Sequence, residues 1–424
     1  MPLPLRHGPR RRTASATALS AALVLAVAVL PAAPANAASD RARTDRWWSA
    51  DQLRTGTFDG TTVSGSALVL SKPTGTLAYT DPYGAKKKTT WQRGTWTSPW
   101  VDTGFATRNL IPSWSAKVPH GTWLRVSARV KSGSTTGSWD AVAYWTHGPK
   151  SISRASGTSQ TDDLTKLAVD TLQANGSRSF EQWQVKVDLL RKPGATHTPK
   201  VESVSGAAAG YSTRKIATSA TTMTSTKTLS IPSFSQMTHR GHFPQWGGGG
   251  EAWCSPTSVA MIVRSFGTGP ARSHYSWAKG ADGQVDHAAR YSYDHRYKGT
   301  GNWAFSAAYA GTYGLDSFVT RLYDLREAEA FIKAGIPLVA SVAWKKGELT
   351  GAPISTSNGH LLVISGFTAD GKVVVNDPAG ASNGAVRRTY SRAQFEKVWL
   401  AASGGVVYVL RPGSKKLPTD TLRW

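Results

Sequence analysis

The sequence predicts an α+β protein in which an all-β sandwich precedes a domain of mixed helices and strands. Three observations lead to this prediction. The chain has 424 residues, which is more than a single domain usually holds. Short stretches of alternating polar and apolar residues, separated by turn signals, fill residues 46–204, as in a sandwich. Residues 229–412 instead alternate helical and strand patterns, which indicates an α+β domain.

Residues 1–37 have the three parts of a secretory signal peptide. A basic region ends at Arg12, an apolar run covers residues 21–30, and residues 35–37 form a small-x-small cleavage motif. The apolar run is too short to span a membrane, and no later run approaches the length of a span. We therefore expect cleavage after Ala37 and a secreted protein, extracellular or associated with the cell wall, that does not span a membrane.

The sandwich prediction for residues 46–204 depends on segments with a period of two. Residues 122–130 and 182–189 alternate most regularly, and turn signals such as Ser132-Gly133 separate the segments. Residues 164–172 are the one stretch that suggests a helix. Ten of the 17 tryptophans lie in this region: Trp47, Trp48, Trp91, Trp96, Trp100, Trp114, Trp123, Trp139, Trp145 and Trp183. We interpret them as packing residues, and stacking on sugar rings is the alternative.

Residues 205–228 are rich in Ser, Thr, Ala and Gly, a composition typical of a linker. The second domain is therefore expected to begin near Leu229. In this domain a helix is predicted to begin at or just after Cys254. Further predicted helices cover residues 303–313, 325–334 and 391–400. Its predicted strands cover residues 337–343, 360–367, 372–378 and 405–410.

The formal net charge is +24, and removal of the four arginines in residues 1–37 leaves +20. A chain this basic is expected to adhere to polyanions. An exported protein meets an anionic cell wall or acidic polysaccharide before it meets nucleic acid, and no nucleic-acid-binding motif is present in the sequence. We expect a wall or polysaccharide contact and no nucleic acid, with solubility through net charge as the alternative.

Cys254 is the only cysteine of the chain, which excludes an intramolecular disulfide and a zinc site built on cysteines. Pro256 and Thr257 suit a first helical turn, so Cys254 should lie at or just before a helix N-terminus. The free N–H groups and the helix dipole there favour a thiolate. An odd cysteine in a secreted protein indicates a reactive thiol, and a small buried apolar residue is the alternative.

A cysteine nucleophile needs a base and an orienting partner, and a predicted hairpin offers both. If residues 368–371 form its loop, Phe367 faces Lys372, and His360 and Asp377 are diagonal neighbours on one face. A two-residue turn keeps them on one face but farther apart, whereas a three-residue loop would place them on opposite faces. The alternatives are a structural histidine and an ordinary turn aspartate.

An acyl-transfer site also needs an oxyanion hole. The backbone N–H of Cys254 can supply one donor, and the side chain of Gln236 or of Gln245 can supply the other. We interpret His239 and His242, which lie between Gln236 and Cys254, as loop residues. No metal and no cofactor are predicted.

Four segments resemble the papain-like cysteine peptidases of the bacteriocin-processing, double-glycine leader peptidase type. They are residues 231–236, residues 253–261, Gly359-His360 and residues 376–378. The chain is most similar to secreted, stand-alone actinobacterial relatives of that type. The resemblance covers roughly residues 229–412, and the preceding sandwich resembles the extra domain of these relatives.

The resemblance implies Cys254 as nucleophile, His360 as general base and acid, Asp377 as orienting carboxylate and Gln236 as oxyanion donor. Two departures stand out. The segment between Gln236 and Cys254 is long, which keeps Gln245 as an alternative, and Ser255 follows the cysteine where related sequences often have glycine. No transporter module is present in the sequence, so a leader-peptidase role tied to export is not implied.

The sequence therefore predicts a secreted cysteine peptidase that hydrolyses peptide or protein substrates through a Cys-His-Asp triad. One alternative is a cell-wall endopeptidase or amidase of the NlpC type, which usually carries a second histidine where this chain has Asp377. The other is a wall- or polysaccharide-binding protein without catalysis, against which the presence of Cys254, His360 and Asp377 argues.

Overall fold

The computed structural model describes residues 42–148, 150–158, 160–161, 163–210 and 216–419. The predicted signal peptide, residues 1–37, lies outside them. Ala38–Trp424 forms one compact unit. No helix in the described ranges is both long enough and apolar enough to cross a membrane.

The first domain is all-β within the described residues apart from one short helix, α1 (Ala50–Arg54). Its strands are β1 (Ala42–Trp47), β2 (Thr57–Asp59), β3 (Thr61–Ser64), β4 (Ala67–Leu70), β5 (Gly75–Thr80), β6 (Lys88–Thr97), β7 (Val101–Thr107), β8 (Asn109–Lys117), β9 (Thr122–Ser132), β10 (Thr135–Thr136), β11 (Asp140–Trp145), β12 (Ala155–Ser156), β13 (Thr165–Ala168), β14 (Thr171–Ala174), β15 (Phe180–Arg191) and β16 (Lys200–Ala209). The two segments that alternate most regularly in sequence are found in β9 and β15.

These strands form two sheets whose inner faces share a core, so the predicted sandwich is confirmed. One sheet has the order β13-β14-β8-β16-β4-β3, with β1 also paired to β16. The other has the order β12-β11-β9-β15-β6-β2, and β10, β5 and β7 pair with β9, β6 and β15. Gly206 of the first sheet lies directly over the Trp183 ring of the second, where a Cβ would come within 2.5 Å of the ring.

Most tryptophans of the sandwich pack inside it. Seven of the ten are buried, whereas Trp100 and Trp139 are half-buried and Trp48 is exposed. The Arg129 guanidinium lies over both half-buried rings, 4.9 Å from the centre of Trp100 and 4.4 Å from that of Trp139. Packing is therefore the main role of these residues, as the sequence indicated.

The suggested helix at residues 164–172 is wrong. The segment is the β13–β14 hairpin, in which Leu167 pairs with Leu172. Val169 at its turn has a φ of 58°, a left-handed conformation that a helix could not contain. The apolar spacing that resembled a helical period comes from two short strands facing one core.

The second domain mixes helices with an antiparallel sheet, so the α+β prediction is confirmed. Its helices are α2 (Cys254–Ser265), α3 (Gln284–Ser292), α4 (Trp303–Thr312), α5 (Leu325–Lys333) and α6 (Arg392–Ser403). Its strands are β17 (Lys227–Thr228), β18 (Asp316–Arg321), β19 (Leu338–Trp344), β20 (Ser357–Phe367), β21 (Val373–Asn376), β22 (Arg387–Tyr390) and β23 (Val406–Arg411). Short 3₁₀ helices cover Gln236–His239, Gly250–Ala252, Arg272–Tyr275 and Asn383–Ala385.

The sheet of this domain has the order β18-β23-β19-β20-β21-β22, and β17 pairs with the end of β20. Helix α2 packs on β20 at the middle of the sheet. Helix α4 packs between this sheet and β8 of the sandwich, where the Phe305 ring lies 6.2 Å from that of Trp114 and 5.2 Å from that of Trp145. The two domains thus share one continuous hydrophobic core.

The segment predicted as a linker, residues 205–228, includes residues 211–215, which lie outside the described ranges, and most of the rest is built into the two domains. Residues 205–209 continue β16. Further on, the hydroxyls of Thr221 and Thr222 donate to the buried carboxylate of Glu329, each at 2.6 Å. Ser219 donates to Glu396 through its N–H and its hydroxyl, both at 2.7 Å. Small hydroxylated residues, which are typical of flexible linkers, here satisfy two buried glutamates.

Candidate active site

Cys254 is the first residue of α2, as its flanking sequence predicted. Trp253 precedes it as the N-cap residue, fully buried, and its indole N–H donates to the carbonyl of Trp246 at 2.7 Å. The cysteine itself is half-buried. Besides His360, the backbone N–H groups of Leu361 and Ser255 act to lower the pKa of its thiol, against the effect of burial. The helix start therefore presents a partly accessible sulfur in a setting that favours the thiolate.

His360 lies on β20 between Cys254 and Asp377. Its Nε2 is 2.8 Å from Oδ1 of Asp377, and both side chains are buried. The same ring is coupled to Cys254, since it lowers the pKa of the thiol and the thiol in turn raises the pKa of the ring. Because Asp377 occupies Nε2, Nδ1 is the ring nitrogen that remains for the sulfur. The three predicted catalytic side chains are thus connected in the order Cys254, His360, Asp377.

The hairpin brings His360 and Asp377 together by a different register from the predicted one. Phe367 pairs with Val373 rather than Lys372, and Thr368 bonds to Lys372 across a three-residue loop. By itself, this three-residue loop would place His360 and Asp377 on opposite faces of the hairpin. A β-bulge between Ile364 and Gly366 adds one residue and restores the parity, so that Val363 faces Asn376.

Asp377 is held by three donors. Its Oδ1 accepts from His360 and from the N–H of Ala379 at 3.0 Å, and its Oδ2 accepts from the Tyr390 hydroxyl at 2.8 Å. Tyr390, at the end of β22, is buried, and sequence reasoning missed it. Its only local signal was an aromatic residue in a short strand, and the pairing of β22 with β21 could not be read from the sequence.

The electrostatics of the three groups favour an ion pair. Burial raises the pKa of the Cys254 thiol, but the hydrogen bond and charge of His360 outweigh it, so the pKa is lowered. Burial lowers the pKa of His360, and the charge and hydrogen bond of Asp377 raise it to about 10. Although burial opposes it, the cationic ring also lowers the pKa of Asp377. All three shifts favour a thiolate beside an imidazolium and a carboxylate.

The two candidate oxyanion glutamines occupy different environments. Gln236 is buried, its N–H donates to the carbonyl of Pro378 at 2.8 Å, and its side-chain amide donates to the carbonyl of Glu251. It thus bridges the residue after Asp377 and the residues before Cys254. Gln245 is exposed in the loop between Gln236 and Cys254. Of the two, Gln236 is the one whose side chain contacts the residues before Cys254.

A cavity of about 550 Å³ opens beside Cys254. Its lining includes Gly359 and Leu361 of β20 and the loop around Tyr297. The β13–β14 turn of the sandwich, residues 168–171, lines the same cavity. Sequence reasoning did not assign any part of the first domain to the site.

The sandwich turn is attached to the second domain next to this cavity. Oδ2 of Asp170 accepts the N–H of Trp303, the first residue of α4, at 2.6 Å. Burial raises the pKa of Asp170 to about 6, although the hydrogen bonds from Trp303 and Thr171 act to lower it. The turn is therefore a fixed wall of the cavity, so the cavity needs both domains.

Known families match each domain separately. The family described as Peptidase C39 N-terminal domain matches residues 43–209, and the Peptidase C39 like family matches residues 228–407. A crystal structure described as that of a C39-like peptidase from Bacillus anthracis is 14% identical, covers 44% of this chain and 98% of its own, and has a TM-score of 0.27. No curated protein matches the chain.

Proposed function

The chain is a cysteine peptidase of the C39 family, and from this premise we propose that it is a secreted enzyme that hydrolyses peptide bonds through a Cys-His-Asp triad. Cys254 acts as nucleophile, His360 as general base and acid, and Asp377 as the orienting carboxylate. The observation that carries the proposal is the 2.8 Å contact between His360 and Asp377 next to Cys254, whose thiol pKa the His360 ring lowers, beside an open cavity.

Each group has a defined part in the reaction. The Cys254 thiolate attacks the carbonyl carbon of the scissile bond and forms a tetrahedral oxyanion. The C–N bond breaks as the His360 imidazolium gives its proton to the leaving amine, and a thioester remains on Cys254. His360 then takes a proton from a water molecule that attacks the thioester, the C–S bond breaks, and the thiolate and imidazolium are restored.

The developing oxyanion needs donors that are already in position. The N–H of Cys254 at the start of α2 is one. Gln236 is the other in this proposal, because an amide nitrogen carries two N–H groups and only one is used by the carbonyl of Glu251. Neither donor requires a cofactor.

Thiol chemistry is tested directly, since Cys254 is the only cysteine. Alkylation with iodoacetamide should abolish hydrolysis of a fluorogenic casein substrate in proportion to the modified fraction. Cys254→Ala should lower kcat by at least about 10³-fold, because removal of a nucleophile leaves only binding and oxyanion stabilisation. Full activity of a completely alkylated protein would rule out the mechanism.

The same preparations distinguish a general peptidase from a cell-wall enzyme. Wild-type protein incubated with purified peptidoglycan should leave the wall intact while it hydrolyses casein. Release of soluble muropeptides, absent in Cys254→Ala, would instead assign the activity to stem peptides of the wall.

The proposal includes export and contact with an anionic wall. Residues 1–37 have the composition of a signal peptide, and without their four arginines the formal charge of +24 becomes +20. Expressed with its own N-terminus, the protein should appear in the medium or in a wall fraction that salt extracts. Retention of the uncleaved chain in the cytoplasm would contradict this part of the proposal.

A further inference from the structure

Three side chains from two separate segments converge beside the Gln236 helix. His239 and His242 come from the segment between Gln236 and Cys254, and Asp286 comes from α3. Nδ1 of His239 is 2.9 Å from Oδ2 of Asp286, and Nδ1 of His242 is 2.9 Å from Oδ1. One ligand atom of each residue lies within 4.8 Å of those of the other two. The mechanism proposed above uses none of them.

Hydrogen bonding within the protein does not account for this cluster. His242 and Asp286 do form a hydrogen bond. Among the described residues, however, both ring nitrogens of His239 and Oδ2 of Asp286 have no hydrogen-bond partner, because the 2.9 Å approach of Nδ1 to Oδ2 lacks the geometry of an N–H···O bond. His239 is 1% exposed and Asp286 is fully buried. Buried polar atoms in proteins normally have a hydrogen-bond partner or coordinate a metal. The described residues provide no hydrogen-bond partner for these three atoms.

We propose that His239, His242 and Asp286 bind a zinc ion. Two imidazoles and one carboxylate are a ligand set that zinc takes in proteins. Bonds of about 2.0–2.1 Å in a tetrahedron place ligand atoms about 3.3 Å apart. The two imidazole–carboxylate separations here are 2.9 Å each. Calcium and magnesium prefer sites made of oxygen atoms alone, and copper(I) prefers sulfur. The ion supplies the missing partner of Oδ2 and of one His239 nitrogen.

The fourth ligand position belongs to water. His239 and Asp286 are inaccessible, whereas the His242 side chain is 18% exposed and leaves one side of the cluster open. The zinc ion lies outside the Cys254 cavity, whose lining contains none of its three ligands. The site is therefore structural rather than part of peptide hydrolysis.

The ion connects the oxyanion segment to α3. Gln236 and His239 belong to one 3₁₀ helix, and His239 also packs against the residues before Cys254. The backbone passes so closely that a Cβ on Gly250 would lie 2.0 Å from the carbonyl oxygen of His239. Zinc at His239 and Asp286 thus holds the long insertion between Gln236 and Cys254 in place. The sequence prediction of no metal rested on reading these histidines as loop residues.

Cobalt titration of the full chain tests the site. The free thiol of Cys254 is a competing metal ligand, so the titration uses Cys254→Ser protein stripped with a chelator. We expect visible d–d absorption of tetrahedral Co²⁺ that saturates at about one equivalent and is displaced by Zn²⁺. A chelator should also lower the Tm of the zinc-loaded protein. Absence of both the absorption band and the stoichiometric binding would overturn the proposal without any further variant.

Variants then assign the ligands. In the Cys254→Ser background, His242→Ala and His242→Asn should each lose the Co²⁺ band and the chelator effect on Tm, with an unchanged far-UV circular dichroism spectrum. His120→Ala, which removes an exposed histidine of the sandwich, is the matched control and should retain both. A full band in the two His242 variants would exclude this site. Because the readout is metal binding, the result is independent of whether the triad proposal holds.

Discussion

Asp377 connects His360 to the rest of the fold. It accepts from His360, Ala379 and Tyr390, so its carboxylate has little freedom to rotate. The imidazole is in turn bounded by the Trp344 ring, whose centre lies 5.5 Å away at an interplanar angle of 82°. These contacts hold His360 with Nε2 toward Asp377 and the other nitrogen toward Cys254.

The pH dependence of the enzyme follows from the thiolate–imidazolium pair. Activity should rise as pH passes through the lowered pKa of Cys254 and fall as pH passes through the His360 pKa of about 10. Iodoacetamide alkylation as a function of pH measures the first limb independently. His360→Ala removes the ring that most strongly lowers the pKa of Cys254. The pH at which the thiol becomes reactive toward iodoacetamide should therefore be higher in this variant. The same alkylation profile in the variant would show that His360 does not stabilise the thiolate.

Tyr390 is predicted to be a positioning residue. Tyr390→Phe removes the hydroxyl that donates to Asp377 and should lower kcat by about tenfold with little change in KM, since a hydrogen bond to a charged group contributes roughly 1.5–3 kcal/mol. Steady-state kinetics across pH should also show a displaced alkaline limb. Tyr79→Phe, in the sandwich strand β5, is the control. An unchanged kcat and profile, with only a lower Tm, would reduce Tyr390 to a structural role.

The β20–β21 hairpin shows how an irregular strand determines catalytic geometry. Its loop alone would turn His360 and Asp377 to opposite faces, and the bulge at Ser365 reverses that outcome. Ser365 is buried, and its hydroxyl donates to the side chain of Asn376 at 3.2 Å. The extra residue is therefore accommodated by a specific contact.

The segment at residues 216–228 is held mainly by Glu329 of α5. Glu329→Gln should destabilise the protein by about 3–5 kcal/mol, because it leaves Arg392 without its buried partner. Glu348→Gln, which removes an ion pair with Lys397 at the surface, should have little effect. Urea unfolding measures both.

The pH dependence of that difference provides a second check. Burial opposes ionisation of Glu329, but hydrogen bonds from Thr221 and Thr222 and the charge of Arg392 leave its pKa lowered. A lowered folded-state pKa contributes stability above the unfolded value and loses it as pH falls. The gap between wild type and Glu329→Gln should therefore shrink in acid, and a constant gap would contradict the assignment.

Both domains contribute to one shared hydrophobic core and to one cavity. Helix α4 packs against the sandwich through Phe305, and the sandwich turn at Asp170 lines the cavity beside Cys254. Neither domain buries its apolar surface at this junction alone. The sandwich is therefore packed together with the candidate site rather than attached as an appendage.

Cooperative unfolding tests this view. Phe305→Ala should lower the free energy of unfolding by about 3–5 kcal/mol and leave a single calorimetric transition, since it opens a cavity in a core that the domains share. Trp48→Ala, with 51% of the residue exposed, should have a small effect. Two separate transitions in the wild-type protein would show that the domains unfold independently.

Local chemistry in the sequence was sufficient for much of the fold and for most of the site. The start of α2 at Cys254 and the strands β9 and β15 follow from capping and periodicity, which act over a few residues. The pairing of His360 with Asp377 was reached with the wrong loop, because a bulge is a property of two strands and leaves no clear mark in either.

Only the tertiary structure decided which distant groups meet. It brought the Tyr390 hydroxyl to Asp377 and the sandwich turn to the cavity of Cys254. It also brought the hydroxyls of Ser219, Thr221 and Thr222 to two buried glutamates. It also placed Asp286 between His239 and His242. Each of these contacts joins segments far apart along the chain, and their meeting depends on how sheets and helices pack, which short-range patterns do not encode.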